Sequence, residues 1–165
     1  MSGSNLRGQT SVEMLFILSI ILLGVLLLIP THLQGSYDSA VLVSVRGAAS
    51  DAEAYLRVGV MVLDDPIYVP LNEVIQNYSD SARIRFIGAA IRNETGQSMA
   101  VLVDFEHDTS ISPADEYRIA GALGEFIKNR LAAQPGFSIK SGNLYYEGRR
   151  VILNVSVGES WAVVP

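Results

Sequence analysis

The chain has 165 residues, 49% hydrophobic and 18% charged, with 17 acidic against 12 basic side chains and a formal net charge of −5. That acidity argues against nucleic acid or anionic lipid headgroups as partners. There is no cysteine, so neither a disulfide nor a thiolate metal site is available, and stability must come from packing, assembly or glycans.

Residues 7 to 13 read Arg-Gly-Gln-Thr-Ser-Val-Glu, and sixteen residues without a charge follow, Met14 to Ile29. At 1.5 Å per residue that run is about 24 Å long, somewhat short of the roughly 30 Å hydrocarbon core of a bilayer. It does not read as an ordinary secretory signal. The basic region before it holds only Arg7 and the amino terminus, and Pro30-Thr31-His32-Leu33-Gln34 after it is no small-x-small cleavage site. A carboxylate at the edge of hydrocarbon is costly unless paired or protonated, which makes Glu13 a functional candidate by default. A cut between Gly8 and Gln9 would create a positive amine four residues before it, within reach on one helical face.

Gly8, Gln9, Ser11 and Glu13 resemble the class III signal peptide of archaeal type IV pilins, a Gln-x-Ser-x-Glu run with Gly before the cut. Ile17 stands where that pattern has Leu, a change that keeps bulk and apolarity. The resemblance covers residues 7 to 30. It implies removal of a leader, residues 1–8, between Gly8 and Gln9 by a prepilin peptidase. It assigns Gln9, Ser11 and Glu13 to the processing motif and Glu13 to assembly. It also implies passage from the cytoplasmic membrane, through a membrane assembly platform, into an extracellular filament of this chain or of mixed pilins. Losing Arg7 leaves 11 basic against 17 acidic residues, a charge of −6. The competing reading is a single-pass anchor carrying an extracellular binding or sensor domain that never polymerises; it leaves Gly8-Gln9 and Glu13 unexplained.

Pro30 lacks a backbone donor and is expected to kink or interrupt the helix. From Tyr37 onward apolar residues recur at helical spacing, at Val41, Val45, Ala48, Ala49, Ala52, Tyr55, Leu56, Gly59, Val60 and Leu63. Asp64-Asp65-Pro66 is a stop signal. Residues 9–63 are therefore expected to form one long, broken helix, apolar to about residue 29 and amphipathic beyond, as in a pilin. Residues 64–165 are expected to form an extracellular α+β head, an antiparallel sheet with one added helix.

Within that head, 70–78 suggests a short helix or turn. Ala82–Arg92 and Ser98–Glu106 read as strands around the turn Asn93-Glu94-Thr95-Gly96, with Met99, Val101, Val103 and Phe105 alternating. Ser112-Pro113-Ala114-Asp115 opens a helix, with Ile119, Leu123, Phe126, Ile127 and Leu131 as its buried stripe and Pro135-Gly136 as its end. Short antiparallel strands follow at 137–140, 144–147, 151–157 and 161–164.

Chemistry is sparse. Asp104, Glu106 and Asp108 beside His107 could suggest a cation site, but the pattern reads as the solvated face and end of a strand, so no metal and no cofactor is expected. His32 and His107 are the only histidines, and no Ser-His-Asp constellation can be argued. Phosphate-binding glycine fingerprints are absent. Arg149-Arg150 reads as turn charge. The chain is not expected to be an enzyme, and a surface hydrolase is disfavoured. Three N-x-S/T sequons are present, at Asn77, Asn93 and Asn154. Asn93 falls in an expected turn. Asn154 shares a strand face with Ser156, so its modification requires that face to be open to solvent. The filaments this chain resembles are commonly N-glycosylated, which makes all three candidates.

Overall fold

The computed structural model describes the backbone of residues 6–95 and 97–165, and the side chains of 12–27, 37–92, 95 and 97–165. The elements in chain order are α1 (Leu6–Val58), a 3-10 turn (Pro66–Tyr68), α2 (Val69–Asn77) and a second 3-10 turn (Ser81–Arg83). Then come β1 (Arg85–Glu94), β2 (Ser98–Glu106), α3 (Pro113–Ala132), β3 (Phe137–Lys140), β4 (Asn143–Tyr146), β5 (Arg149–Val157) and β6 (Ser160–Val164). The chain divides into two compact units, Met1–Ser39 and Ala40–Pro165, and α1 contributes to both.

The expected fold needs correcting in two respects. The first is the pilin-type N-terminal helix with a membrane-type apolar half. Among the described residues no helix is long and apolar enough to cross a membrane, and the apolar side chains described in the first unit run only from Val12 to Leu27. The amphipathic residues after them, in the same helix, turn their apolar side chains into a globular core. Val41, Val45, Ala48, Ala49, Ala52 and Leu56 are all at most 1% exposed and belong to the core of the second unit. The second correction is the sheet, which is mixed. Its order is β1-β2-β5-β4-β3, with β6 also on β5, and β2 and β5 run parallel from Ser98↔Arg150 to Phe105↔Val157. Every other pairing joins neighbours in sequence and is antiparallel. The parallel pairing exists because α3 carries the chain back between β2 and the later strands, as a crossover helix does.

Helix α1 runs through position 30 without the expected interruption; the Pro30 side chain lies outside the described residues. The helix ends at Val58, five residues before Leu63. Gly59 sits at φ +66 and returns its N–H to the Tyr55 carbonyl at 3.2 Å, a left-handed helix end that glycine adopts without strain. The chain beyond is pinned by Tyr55: its hydroxyl donates to Asn72 Oδ1 and accepts from Val62 N, and Asn72 Nδ2 donates to Val62 O at 2.7 Å.

Helix α3 starts as its sequence directs. Ser112 Oγ accepts from Asp115 N at 3.2 Å, Pro113 occupies the first turn, and Asp115 and Glu116 complement the positive end of the helix. Its stripe Ile119, Leu123, Phe126, Ile127 and Leu131 is fully buried. It packs on β5 and β6 so closely that a methyl group on Gly124 would collide with Val164 Cγ2. The core face of the sheet carries Met99, Val101, Val103 and Phe105 of β2 and Val151, Leu153, Val155 and Val157 of β5, all at most 2% exposed. The helices α1, α2 and α3 contribute the other half of that core. The Arg46 guanidinium of α1 donates to Ala89 O of edge strand β1 at 2.8 Å, closing one carbonyl next to a break in the β1–β2 register.

Candidate functional site

The residues of the processing motif lie in α1, but the side chains of Gly8, Gln9 and Ser11 fall outside the described residues. Glu13 is described and exposed. Around it the large apolar side chains from Val12 to Leu27 are between 49% and 71% exposed on every face of the helix, in the chain taken alone. A helix that is apolar all round needs a non-aqueous cover, from lipid or from other protein.

At one end of the sheet three elements bring together residues far apart in sequence. His107, just past β2, places Nε2 3.0 Å from Glu116 Oε1 in the first turn of α3, and Ser160 at the start of β6 donates to Glu116 Oε2 at 2.8 Å. The side chains of His107 and Glu116 are only 9% and 10% exposed. His107 Nδ1 lies 2.7 Å from the Thr109 carbonyl oxygen, which can only accept. Each ring nitrogen thus faces an oxygen that accepts. Burial works to raise the Glu116 pKa, but the bonds from Ser160 and His107, the His107 charge and the Glu159 backbone N–H outweigh it, and the carboxyl lies below its ordinary value. Gly158, at φ +59, leaves the space: a Cβ there would stand 2.7 Å from Glu116 Oε1 and 3.0 Å from His107 Nε2.

This arrangement is a fastening. The Ser160 hydroxyl points at Glu116 and not at the imidazole, so it does not form the nucleophile–base contact of acyl-transfer chemistry. Sequence reading singled out His107 but missed Glu116 and Ser160; an acid at the fourth position of a Ser-Pro helix start was the only available signal. The acidic residues flanking His107 separate. Glu106 pairs with Arg85 at 2.9 Å, Asp108 lies 3.9 Å from Arg83, and Asp104 accepts from Ser156 Oγ at 2.6 Å on the other face of the sheet. Among the described residues no three His, Asp or Glu side chains converge as metal ligands would.

The sequons occupy three different settings. Asn77 is exposed at the end of α2, its amide donating to Glu73 O at 2.8 Å. It borders an open groove of about 590 Å³ between α2 and α3, lined also by Glu73, Tyr78, Asp115 and Arg118. There Ser112, and then Tyr78, bond to Asp115 and lower its pKa, while burial and the Asp115 contact raise that of Tyr78. Asn93 lies inside β1 and not in the turn; its side chain is outside the described residues. Asn154 is half-buried on β5, on the sheet face opposite the helices, across from Val163 of β6 and Leu102 of β2. That outer face carries a run of apolar side chains: Leu102, half-buried Ile152, Trp161 at 48% exposed and Val163 at 66%. Towards its far end stand Arg150 and Tyr145, paired across β5 and β4, with Lys140 Nζ 5.9 Å above the Tyr145 ring.

In comparisons with known proteins, no family model matches the chain, and neither a curated protein nor a solved structure does.

Proposed function

We propose that this chain is the precursor of a structural subunit of an archaeal type IV pilus-like surface filament. The observation that carries the reading is Gly8-Gln9-x-Ser-x-Glu13 set directly against the charge-free run from Met14. A prepilin peptidase cuts after Gly8, and the segment that follows is held in the cytoplasmic membrane until an assembly platform moves it into a polymer. The all-round exposure of apolar side chains between Val12 and Leu27 supports a segment that is covered only by lipid or by other subunits. Lipid tails are as apolar as these side chains, so transfer from bilayer to filament gains little from the hydrophobic effect. Extraction therefore draws on a motor. The role of the second unit is to face outward, for adhesion or surface contact, and not to catalyse a reaction.

Mass spectrometry of the native protein tests the reading. A chain starting at Gln9 is the expected result. An intact leader, or a cut after Ile29, overturns it and leaves the non-polymerising anchor.

A further inference from the structure

We propose that the pocket beside the β4–β5 turn binds a free acidic sugar, whose carboxylate or sulfate is taken by Arg150. The site does not depend on whether the chain polymerises. Backbone geometry, charge and the lining groups each support it.

The turn between β4 and β5 is two residues long, Glu147 at φ +48 and Gly148 at φ +83, the left-handed pair of a tight hairpin. It sets Tyr145 directly opposite Arg150, and the parallel register sets Ser98 of β2 on the other side of Arg150. Leu144, Met99 and Val151, one step along the same strands, are in the core. Ser98, Arg150 and Tyr145 therefore form a row across three strands on the opposite face. With Thr95, Gln97 and Gly148 they line an open pocket of about 590 Å³, a volume in the range of small-ligand sites.

The charge of this pocket is not balanced by the protein. Arg57, Arg83, Arg85, Arg118, Lys128 and Arg130 each stand within 3.9 Å of a carboxylate. Arg149 fastens the neighbouring turn by donating to Thr95 O at 3.0 Å. Among the described residues no Asp or Glu pairs in this way with Arg150 or with Lys140. The acid nearest in sequence, Glu147, places Oε1 beside Gly136, where a Cβ would stand 3.2 Å from it. The Arg150 Nε is enclosed and has no acceptor among the described residues. An under-satisfied guanidinium at the wall of a pocket is the group to which an oxyanion is drawn, and its fork matches a carboxylate or a sulfate.

The other lining groups select the rest of the ligand. The Thr95 and Ser98 hydroxyls, 2.9 Å apart, the Tyr145 phenol and the Gln97 amide can each donate and accept. Lys140 Nζ, 5.9 Å above the Tyr145 ring, adds positive potential at the rim. One cation in the wall among several neutral hydrogen-bonding groups matches one negative charge on a hydroxyl-rich molecule. A fatty acid lacks the hydroxyls, and a polyphosphate carries more charge than one guanidinium answers.

The test is calorimetric titration of the full chain, in detergent micelles, with glucuronate, a glucose sulfate ester, glucose and inorganic sulfate. The Nε–H resonance of Arg150 is followed by NMR alongside. At least one of the two sugar acids should bind, move that resonance and bind more weakly as ionic strength rises. Whichever of the two binds more tightly tells a carboxylated from a sulfated ligand. Glucose and inorganic sulfate should bind at least about tenfold more weakly, and Arg150→Gln should weaken the sugar acid by about tenfold or more. Tyr145→Phe, which keeps the ring, should weaken it less. Failure of both sugar acids to bind overturns the proposal, as does unchanged affinity in a folded Arg150→Gln. If Arg150→Gln does not fold, a wild-type Arg150 resonance that stays still on binding overturns it instead. Glucose binding as tightly as the sugar acids removes the role of Arg150, and sulfate doing so leaves a bare anion site; either overturns the assignment. The first residue of the native chain, which decides the filament reading, bears on none of these outcomes.

Discussion

Replacing Glu116 by Gln keeps the shape of the side chain and removes its charge from the end of the sheet. Glu116 is 7% exposed and accepts from two side chains, His107 Nε2 at 3.0 Å and Ser160 Oγ at 2.8 Å, and from the Glu159 backbone N–H. The amide oxygen can still accept from the ring, but its NH2 then faces the Ser160 hydroxyl and the carboxylate charge is gone from both bonds. A hydrogen bond to a charged group contributes about 1.5–3 kcal/mol, and leaving one member of a buried pair alone costs about 3–5 kcal/mol. Because an acceptor survives in Glu116→Gln, the expected loss is about 2–3 kcal/mol at neutral pH, read by urea unfolding. The folded carboxyl is depressed below its unfolded value, so its contribution is complete above the ordinary glutamate pKa of about 4.3 and is lost as pH falls through the folded value. The difference between wild type and Glu116→Gln should therefore close in acid. A gap that stays constant down through the acid range, or no gap at neutral pH, would refute the stabilising role of the buried carboxylate.

Leu123→Ala, at a fully buried position of α3, should cost about 2–5 kcal/mol in the same assay; a loss below about 1 kcal/mol would mean that α3 is not seated on the sheet. Two glycines of that helix should respond in opposite directions. Gly121→Ala meets nothing within 4 Å and should gain about 0.5–1 kcal/mol, whereas Gly124→Ala meets Val164 and Val155 and should lose about 1–2 kcal/mol after its helix gain is offset; equal melting shifts would contradict the close approach. Glu13→Gln should leave the second unit folded but lower filament yield. Between residues 8 and 45 the sequence has no Lys or Arg, so in the proposed filament subunit the amine of a freed Gln9 would be the partner for that carboxylate, and normal yield would rule the pairing out.

Much of the second unit was legible because its signals are local. Ser112-Pro113 and Asp115 fix the start of α3, its five-residue stripe fixes the buried face, and the alternation of Met99, Val101, Val103 and Phe105 fixes which side of β2 faces the core. The end of α1 was misplaced because Gly59 was counted as one more small helical residue, when its left-handed conformation stops the helix there. The apolar spacing from Val41 to Leu56 was legible, but periodicity states only that a face is buried, not against what. Here it is buried in the second unit. The mixed sheet was not legible at all, since a strand's sequence does not record which neighbour it meets after an intervening helix. Glu116 was hidden for a related reason: its partners lie nine and 44 positions away, in elements that meet only through the sheet.

The parallel pairing of β2 and β5 connects the buried His107–Glu116 contact to the outer face of the sheet. The register Phe105↔Val157 brings the end of β2 beside the turn into β6, and the Gly158 N–H bonds to Phe105 O at 3.1 Å. This places His107 next to Gly158 and lets Glu116 and Ser160 close on it. Sliding β5 by two residues keeps every face correct but moves the β5–β6 turn about 7 Å from His107, and the buried pair is lost. Sliding it by one puts Asn154 and Ser156 into the core and Val155 and Val157 into water. The His107–Glu116–Ser160 fastening thus selects between registers that hydrophobic alternation alone leaves equivalent, and the selected register holds Asn154 beside Trp161 on the outer face. A variant that weakens the fastening without unfolding the sheet should therefore show its second effect at Trp161, at the opposite surface of the same two strands.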